Sequence, residues 1–343
     1  MKILVTDGAG GIGSTLCFLL NKNGHKTIAY DNLNNGYIEN LNGKDHNLCE
    51  FVFGDIRNRY YLKSVLRENR IDVIVHLAAL TSLPVCESNP SECISVNVAG
   101  TVAVLDAARE RGIKVICAST SAIYENNIKN QAPFVEQLMV EPRLFYPLSK
   151  KLMEETIQSY IKNYDMDITT LRFFNVFGPR QDIHRKSPPL INYIVRQIKN
   201  GEKLTFYSNG EQVRDYVHVD DVVTMIEACI KSPKSKQQTF NLCSETLTSV
   251  KDIIGYAEKA FGKFEYEFVQ SDKYWSGYDE IYAGQKPILD EVIVREVNKY
   301  SLGSIKKAYD YLGWQPNRNI EELMIQTMKQ NMEIISDKQI RLR

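Results

Sequence analysis

The sequence predicts an α/β protein built on a doubly wound parallel sheet, with a smaller C-terminal substrate lobe. Three observations carry this. Short β-rich runs alternate with helix-period segments through the first half of the chain, small residues crowd the first strand-to-helix turn, and the alternation breaks after Gly178-Pro179-Arg180. Parallel strands need a long crossover between them, and a helix is the usual way to supply it.

In order, strands are expected at 2–6, 26–31, 50–55, 73–78, 115–120 and 168–174, with helices at 12–23, 57–70, 93–111 and 147–164 between them. A strand at 216–219, a helix at 220–231 and a strand at 240–242 are expected to carry residues 214–243 back to the main sheet. The division is therefore 1–178 for a dinucleotide-binding domain and 179–343 mainly for the substrate lobe. Residues 262–290 are aromatic and acidic and show no clear period, and a helix is expected to fray after Gln330.

With 343 residues, 43% of them apolar, the chain has material for a large core. Lysine plus arginine (42) equals aspartate plus glutamate (42), so no broad cationic field exists to gather nucleic acid or an anionic membrane. No apolar run in the sequence approaches the roughly 20 residues that cross a bilayer, and the first strand begins without a basic leader, so a cytoplasmic enzyme is expected. The cysteines (Cys17, Cys49, Cys86, Cys93, Cys117, Cys229, Cys243) are scattered without CxxC pairs, which reads as reduced packing thiols and no metal site.

Between the first strand and helix lies Thr6-Asp7-Gly8-Ala9-Gly10-Gly11-Ile12-Gly13. Its small residues let backbone approach a pyrophosphate at a helix N-terminus, and the next strand ends in Asp31, where an acid accepts hydrogen bonds from an adenosine ribose. A tight turn and a solvated turn acid are the bland alternatives. Together the two features predict a Rossmann-type site, and an acid without an adjacent arginine favours NAD over NADP.

Tyr146 and Lys150 are four residues apart and share a helix face. A tyrosine serves as a general base near neutral pH only if its phenolate is favoured, which a nearby ammonium and the cationic nicotinamide ring would do. Such a pair is commonly an amphipathic surface feature. Thr120, at the end of the preceding strand, supplies the context that makes it a catalytic candidate.

These residues stand in a longer ordered series. It includes Asp31-Asn32-Leu33, Gly54-Asp55-Ile56, His76-Leu77-Ala78-Ala79, Asn97-Val98-Ala99-Gly100-Thr101, Ser119-Thr120-Ser121-Ala122, Tyr146-Pro147-Leu148-Ser149-Lys150, Asn175-Val176-Phe177-Gly178-Pro179-Arg180 and Arg214-Asp215-Tyr216-Val217-His218. In these motifs the chain resembles the extended short-chain dehydrogenase/reductases, in particular their NAD-dependent sugar-nucleotide epimerase/dehydratase group. The resemblance implies that NAD is held by Gly8, Gly10, Gly11, Ile12, Gly13, Asp31, Asn32, Asp55, Ile56, Leu77, Ala78, Ala79 and Asn97, with Tyr146 and Lys150 contributing. It implies that Ser82, Thr120, Asn175, Tyr207, Arg214 and Arg295 hold a sugar nucleotide, and that the enzyme is a homodimer through helices near 97–111 and 147–164.

Two departures matter. The family usually has glycine where this chain has Asp7, and a carboxylate there would repel a pyrophosphate. Related dehydratases usually carry Asp-Glu after the threonine, and decarboxylases keep the glutamate, whereas Ser121-Ala122 offers no carboxyl group. The expected activity is 4-epimerisation through a transient 4-keto sugar. A dehydrogenase that releases the keto sugar, a 4,6-dehydratase or decarboxylase, and a non-catalytic NAD-binding regulator are the alternatives.

Overall fold

The computed structural model describes residues 1–42, 49–124, 132–283 and 285–337, with side chains through 334. Its strands are β1 (Lys2–Thr6), β2 (Lys26–Asp31), β3 (Cys49–Phe53), β4 (Val73–His76), β5 (Lys114–Thr120), β6 (Ile168–Phe173), β7 (Asn175–Phe177), β8 (Leu204–Tyr207), β9 (Val213–His218), β10 (Thr239–Leu242), β11 (Leu247–Ser249) and β12 (Tyr266–Val269). Among the described residues the main sheet runs β10-β6-β5-β4-β1-β2-β3, every pair parallel. Successive residues face opposite sides of a pleated strand. Ile3 and Val5 thus pack with Leu16, Leu20, Val222 and Ile226, while Leu4, Ile28 and Ile74 pack with Leu62, Leu66, Val104 and Met153. Both faces are covered, as the apolar strands require.

The strand expected at 216–219 runs as β9 and does not join the main sheet. It pairs with β7 and β11 instead, because the chain leaves the main sheet after Phe173 and presents β7 as its neighbour. β10 does return, beside β6, and the helix Val219–Lys231 packs against the first helix, Gly11–Lys22. The C-terminal helices Leu190–Asn200, Val250–Phe261 and Ile320–Asp337 close around Ile191, Val195, Phe206, Ile254, Met324 and Met328. The fraying expected after Gln330 concerns, beyond Asp337, residues outside the described ones.

The helix expected at 93–111 is a composite. It runs Pro90–Ile94, widens into a π turn at Ser95–Ala99 in which the Gly100 amide donates to the Ser95 carbonyl, and resumes as Gly100–Arg109. The run Pro90–Arg109 spans 20 residues and contains an 18-residue window of mean hydropathy 1.2, the length and composition at which a helix could cross a membrane. Half of it is buried inside the fold, where Val104, Leu105, Ala107 and Ala108 are core. All seven cysteines are free, and all but Cys49 are buried.

Candidate active site

The strand order reverses between β1 and β4, the place at which doubly wound sheets open a crevice beyond the carboxyl ends of their strands. Thr6 and His76 are register partners there, and their side chains meet at 2.9 Å. The Thr6 hydroxyl accepts the amides of Leu77 and Ala78, each at 3.0 Å. His76 Nε2 lies 3.0 Å from the Thr101 hydroxyl, which itself donates to the Asn97 carbonyl. Burial lowers the His76 pKa to about 3, so the ring is neutral, with Nδ1 accepting from Thr6 and Nε2–H donating to Thr101. This network fixes Leu77 and Ala78 at the mouth of the crevice. The sequence reading passed over Thr6, His76 and Thr101 as binding elements, although their place at strand and helix ends was visible.

The glycine loop sits on the same crevice. Asp7 adopts a left-handed conformation (φ 56°) and its carbonyl accepts the Gly10 amide at 3.0 Å. A Cβ on Gly13 would stand 2.0 Å from that carbonyl oxygen, so the helix closes onto the turn only with glycine there. A Cβ on Gly8 would meet the Ala29 backbone at 2.5 Å, and one on Gly11 the Arg180 carbonyl at 3.0 Å. Asp31 is buried and accepts the amides of Ala9 (2.9 Å) and Leu33 (2.7 Å), tying the loop to β2. Asn32 and Asp55 approach at 3.4 Å, and Arg57 holds the Asp55 carboxyl below its ordinary range. Ile56 packs beside Gly100. Asn97 has spent its amide on Leu80 and Ser149.

The bare backbone at the helix N-terminus, buried Asp31 and the ordered Ala78 fit a dinucleotide. Asp7 is the misfit. A Cβ on Gly10 would lie 2.4 Å from the Asp7 Oδ2, so the carboxylate occupies the open face that a glycine at this position provides. Burial and the nearby Asp31 push the Asp7 pKa well above its ordinary value, while Lys150 acts to lower it.

Tyr146 and Lys150 project from the first turns of the helix Phe145–Tyr164, whose positive end favours a phenolate. Burial raises Tyr146 to about 12, and the Thr120 hydroxyl facing it acts to lower it. Thr120 accepts the Ala122 amide at 3.1 Å, leaving its proton for the phenol or a substrate oxygen. The Lys150 ammonium is buried and donates to the Ala118 carbonyl at 2.8 Å; burial brings its pKa down to about 8. Thr120 thus faces Tyr146, while Lys150, one turn further along the same helix, reaches back to the strand that carries Thr120. With its pKa raised to about 12 the Tyr146 phenol is neutral in the chain by itself; beside Thr120 it can hold an oxygen, and it takes a proton once a further positive charge favours the phenolate.

The expected substrate residues are more scattered in role. Asn175, half-buried at the start of β7, donates to the Asp215 carbonyl at 3.1 Å. Ser82 precedes the short helix Leu83–Ser88 and faces Tyr278. Tyr207 meets the Tyr274 ring edge-on at 5.0 Å, beside an open groove of about 930 Å³ lined by Ser208, Phe268 and Gln270. Arg214 has its guanidinium engaged, donating to the carbonyls of Val213, Glu296, Val297 and Lys299. It thereby caps the helix Asp290–Asn298, on which Arg295 stands. The aromatic stretch forms a cluster in which Trp275, Tyr278 and Ile281 pack with Leu144, the residue preceding the helix Phe145–Tyr164, and with Ile293.

A sequence model described as the NAD dependent epimerase/dehydratase family matches residues 3–243. A putative UDP-glucose 4-epimerase of Methanocaldococcus jannaschii is 32% identical over 93% of this chain and 95% of its own. Among solved structures, UDP-glucose 4-epimerase of Thermotoga maritima with UDP-glucose superposes with a TM-score of 0.84 at 27% identity, covering 98% of this chain and 100% of its own. UDP-glucuronic acid 4-epimerase of Bacillus cereus, with UDP-glucuronic acid and NAD, gives 0.82 at 26%, covering 97% and 100%.

Proposed function

The chain belongs to the NAD dependent epimerase/dehydratase family, whose cofactor is NAD, and we propose that it is a sugar-nucleotide 4-epimerase working through a transient 4-keto sugar. The apposition of Thr120 and Tyr146, with Lys150 reaching back to the strand of Thr120, carries this reading. Gly8, Gly10, Gly11, Ile12 and Gly13 would hold the cofactor's pyrophosphate, Asp31 and Asn32 its adenosine ribose, Asp55 and Ile56 its adenine, and Leu77, Ala78, Ala79 and Lys150 its nicotinamide end. When bound, NAD supplies the acceptor for a hydride from the sugar.

Tyr146 removes the proton of a ring hydroxyl while Thr120 donates to the same oxygen and fixes it. Lys150 keeps a positive charge close to the helix end from which Tyr146 projects, in surroundings that water does not reach. After the ketone forms, the sugar would turn within the pocket, so that the hydride returns to the opposite face of the same carbon as Tyr146 gives the proton back to its oxygen. Ser121 and Ala122 supply no carboxyl group to eliminate water, which supports epimerisation over dehydration. Ser82, Asn175, Tyr207 and Arg295 would orient the sugar nucleotide, with Arg214 bracing the helix that carries Arg295. A homodimer joined through the outer faces of the helices Gly100–Arg109 and Phe145–Tyr164 belongs to the same proposal and rests on family resemblance; their inner faces are spent on the sheet.

The test is to incubate the protein and NAD with a panel of sugar nucleotides and follow product mass together with nicotinamide absorbance. An epimer leaves the mass unchanged, oxidation removes two hydrogens, and dehydration removes water. If no sugar nucleotide reacts and Tyr146→Phe is indistinguishable from the parent, the enzyme reading fails.

A further inference from the structure

The loop between β7 and the helix Leu190–Asn200 carries a cation that the mechanism above does not use. Arg185 is held from several sides. The Asp182 carboxylate accepts the amides of His184 (2.9 Å) and Arg185 (3.2 Å) together with the Tyr37 hydroxyl (2.8 Å). Arg196 donates to the carbonyls of Ile183 (3.2 Å) and Arg185 (3.1 Å), and Arg185 Nε donates to the Ser187 carbonyl at 2.7 Å. The side chain is thus anchored at its base and at Nε. Its two terminal nitrogens make no hydrogen bond or ion pair among the described residues.

The groups around that unspent fork are polar and rich in donors. The Asp182 carboxylate, then Tyr278, Tyr274 and Tyr146, lie within electrostatic reach of the guanidinium, and desolvation outweighs them. Tyr278 is only 8% exposed, and its hydroxyl is buried without a hydrogen-bond partner. Ser82 and Ser187 stand beside that hydroxyl, and the Lys186 ammonium lies 4.4 Å from the ring centre. A half-buried guanidinium with two unspent nitrogens is costly to maintain unless something satisfies it, and the Tyr278 hydroxyl with its serine neighbours can serve the same ligand. An ionised carboxylate, which only accepts and presents two oxygens, matches a guanidinium fork with both bonds made at once.

We infer that Arg185, Tyr278, Ser82 and Ser187 form a subsite for an anionic substituent on the sugar ring, so that the preferred substrate is a nucleoside-diphosphate hexuronate. This rests on the epimerase reading and names its substrate class. The guanidinium senses Tyr146, the group that acts on the ring itself, and its loop neighbours reach Tyr278 and Ser82, which favours the sugar over the diphosphate as the carrier of the anion. A neutral hydroxymethyl group there would leave the two terminal nitrogens without a bidentate acceptor, since the Asp182 carboxylate is engaged by the loop amides and Tyr37.

The experiment compares UDP-glucuronic acid with UDP-glucose, using the full chain with NAD. The expected result is kcat/KM about 100-fold higher for the uronate, on the scale of a lost bidentate charge-assisted pair. In Arg185→Gln this preference collapses toward unity, and in Tyr278→Phe it falls about tenfold. Equal use of both substrates by the parent, or an equal loss on both in Arg185→Gln, overturns the inference; the second result moves the guanidinium to the shared diphosphate. Calorimetric binding to Tyr146→Phe loaded with NAD gives a readout that needs no turnover. Tighter binding of the uronate supports the subsite even if the epimerase reading fails, and equal affinities sink it. A product lighter by carbon dioxide would retain the subsite and overturn epimerisation.

Discussion

Replacing Asp7 by asparagine should tighten NAD binding, and the gain should depend on pH. The carboxylate lies against Gly10, with Oδ2 2.4 Å from where a Cβ would be. A pyrophosphate seated on the adjacent amides therefore comes within about 5 Å of it, and at an effective dielectric constant near 20 one pair of unit charges at that distance repels by about 3 kcal/mol, roughly 200-fold in affinity. Asparagine keeps the shape and tolerates the left-handed backbone, so it removes the charge alone. Asp7→Gly also relieves about 1 kcal/mol of backbone cost. Because folding raises the Asp7 pKa, the folded chain holds this proton more tightly than the unfolded chain. Asp7 accordingly costs stability progressively as pH rises from its unfolded value to its folded one. Titration calorimetry with NAD from pH 6 to pH 9, alongside thermal melts, reads both effects: Asp7→Asn should gain affinity most at pH 9 and gain Tm at neutral but not strongly acidic pH. Unchanged or weaker NAD binding, or a gain identical at both ends of the range, would refute the electrostatic reasoning.

Tyr146→Phe should lower kcat by a factor on the order of 10²–10⁴ while leaving the melting profile near that of the parent, as checked by steady-state kinetics and calorimetry. Lys150 has its pKa brought down to about 8 by burial, so the unfolded chain binds this proton more readily between there and the ordinary lysine value, and stability rises with pH across that window. Lys150→Met should therefore abolish turnover yet raise Tm by a few degrees at pH 7, with a smaller gain at pH 10. Arg214→Ala should cost about 2–4 kcal/mol in urea unfolding because it strands the carbonyls of Glu296, Val297 and Lys299. An unchanged midpoint with a raised KM for sugar nucleotide would instead make Arg214 a diphosphate ligand.

The main sheet was legible because its strands are continuous apolar runs separated by helix-period segments, and the crevice followed from the glycine loop and Asp31. Thr120, Tyr146 and Lys150 were legible because their positions relative to strand end and helix start carry geometric meaning. What escaped the sequence was tertiary. Nothing local shows that the Arg214 guanidinium is consumed by a helix end some 80 residues further on, or that β9 pairs with β7 and not with the main sheet. Arg185 and Tyr278 sit in segments without period, and only the fold brings them together. Asp7 was visible as a departure, but its collision with the open face of Gly10 depends on a left-handed φ that a residue string does not record.

The π turn at Ser95–Ala99 holds one residue more than an α-helix needs, and its place between two α-helical stretches makes it a phase-setter. Each residue in a helix advances the azimuth by about 100°. Shortening this turn by one residue would preserve a continuous hydrogen-bond ladder while rolling Gly100–Arg109 about its axis relative to Pro90–Ile94. Either Val104, Leu105 and Ala108 would leave the sheet, or Cys93 would leave the start of the helix Phe145–Tyr164. The extra residue thus lets a single rod mesh with two surfaces whose spacing does not share its period, and Asn97, at the centre of the widened turn, clasps Leu80 on one side and Ser149 on the other.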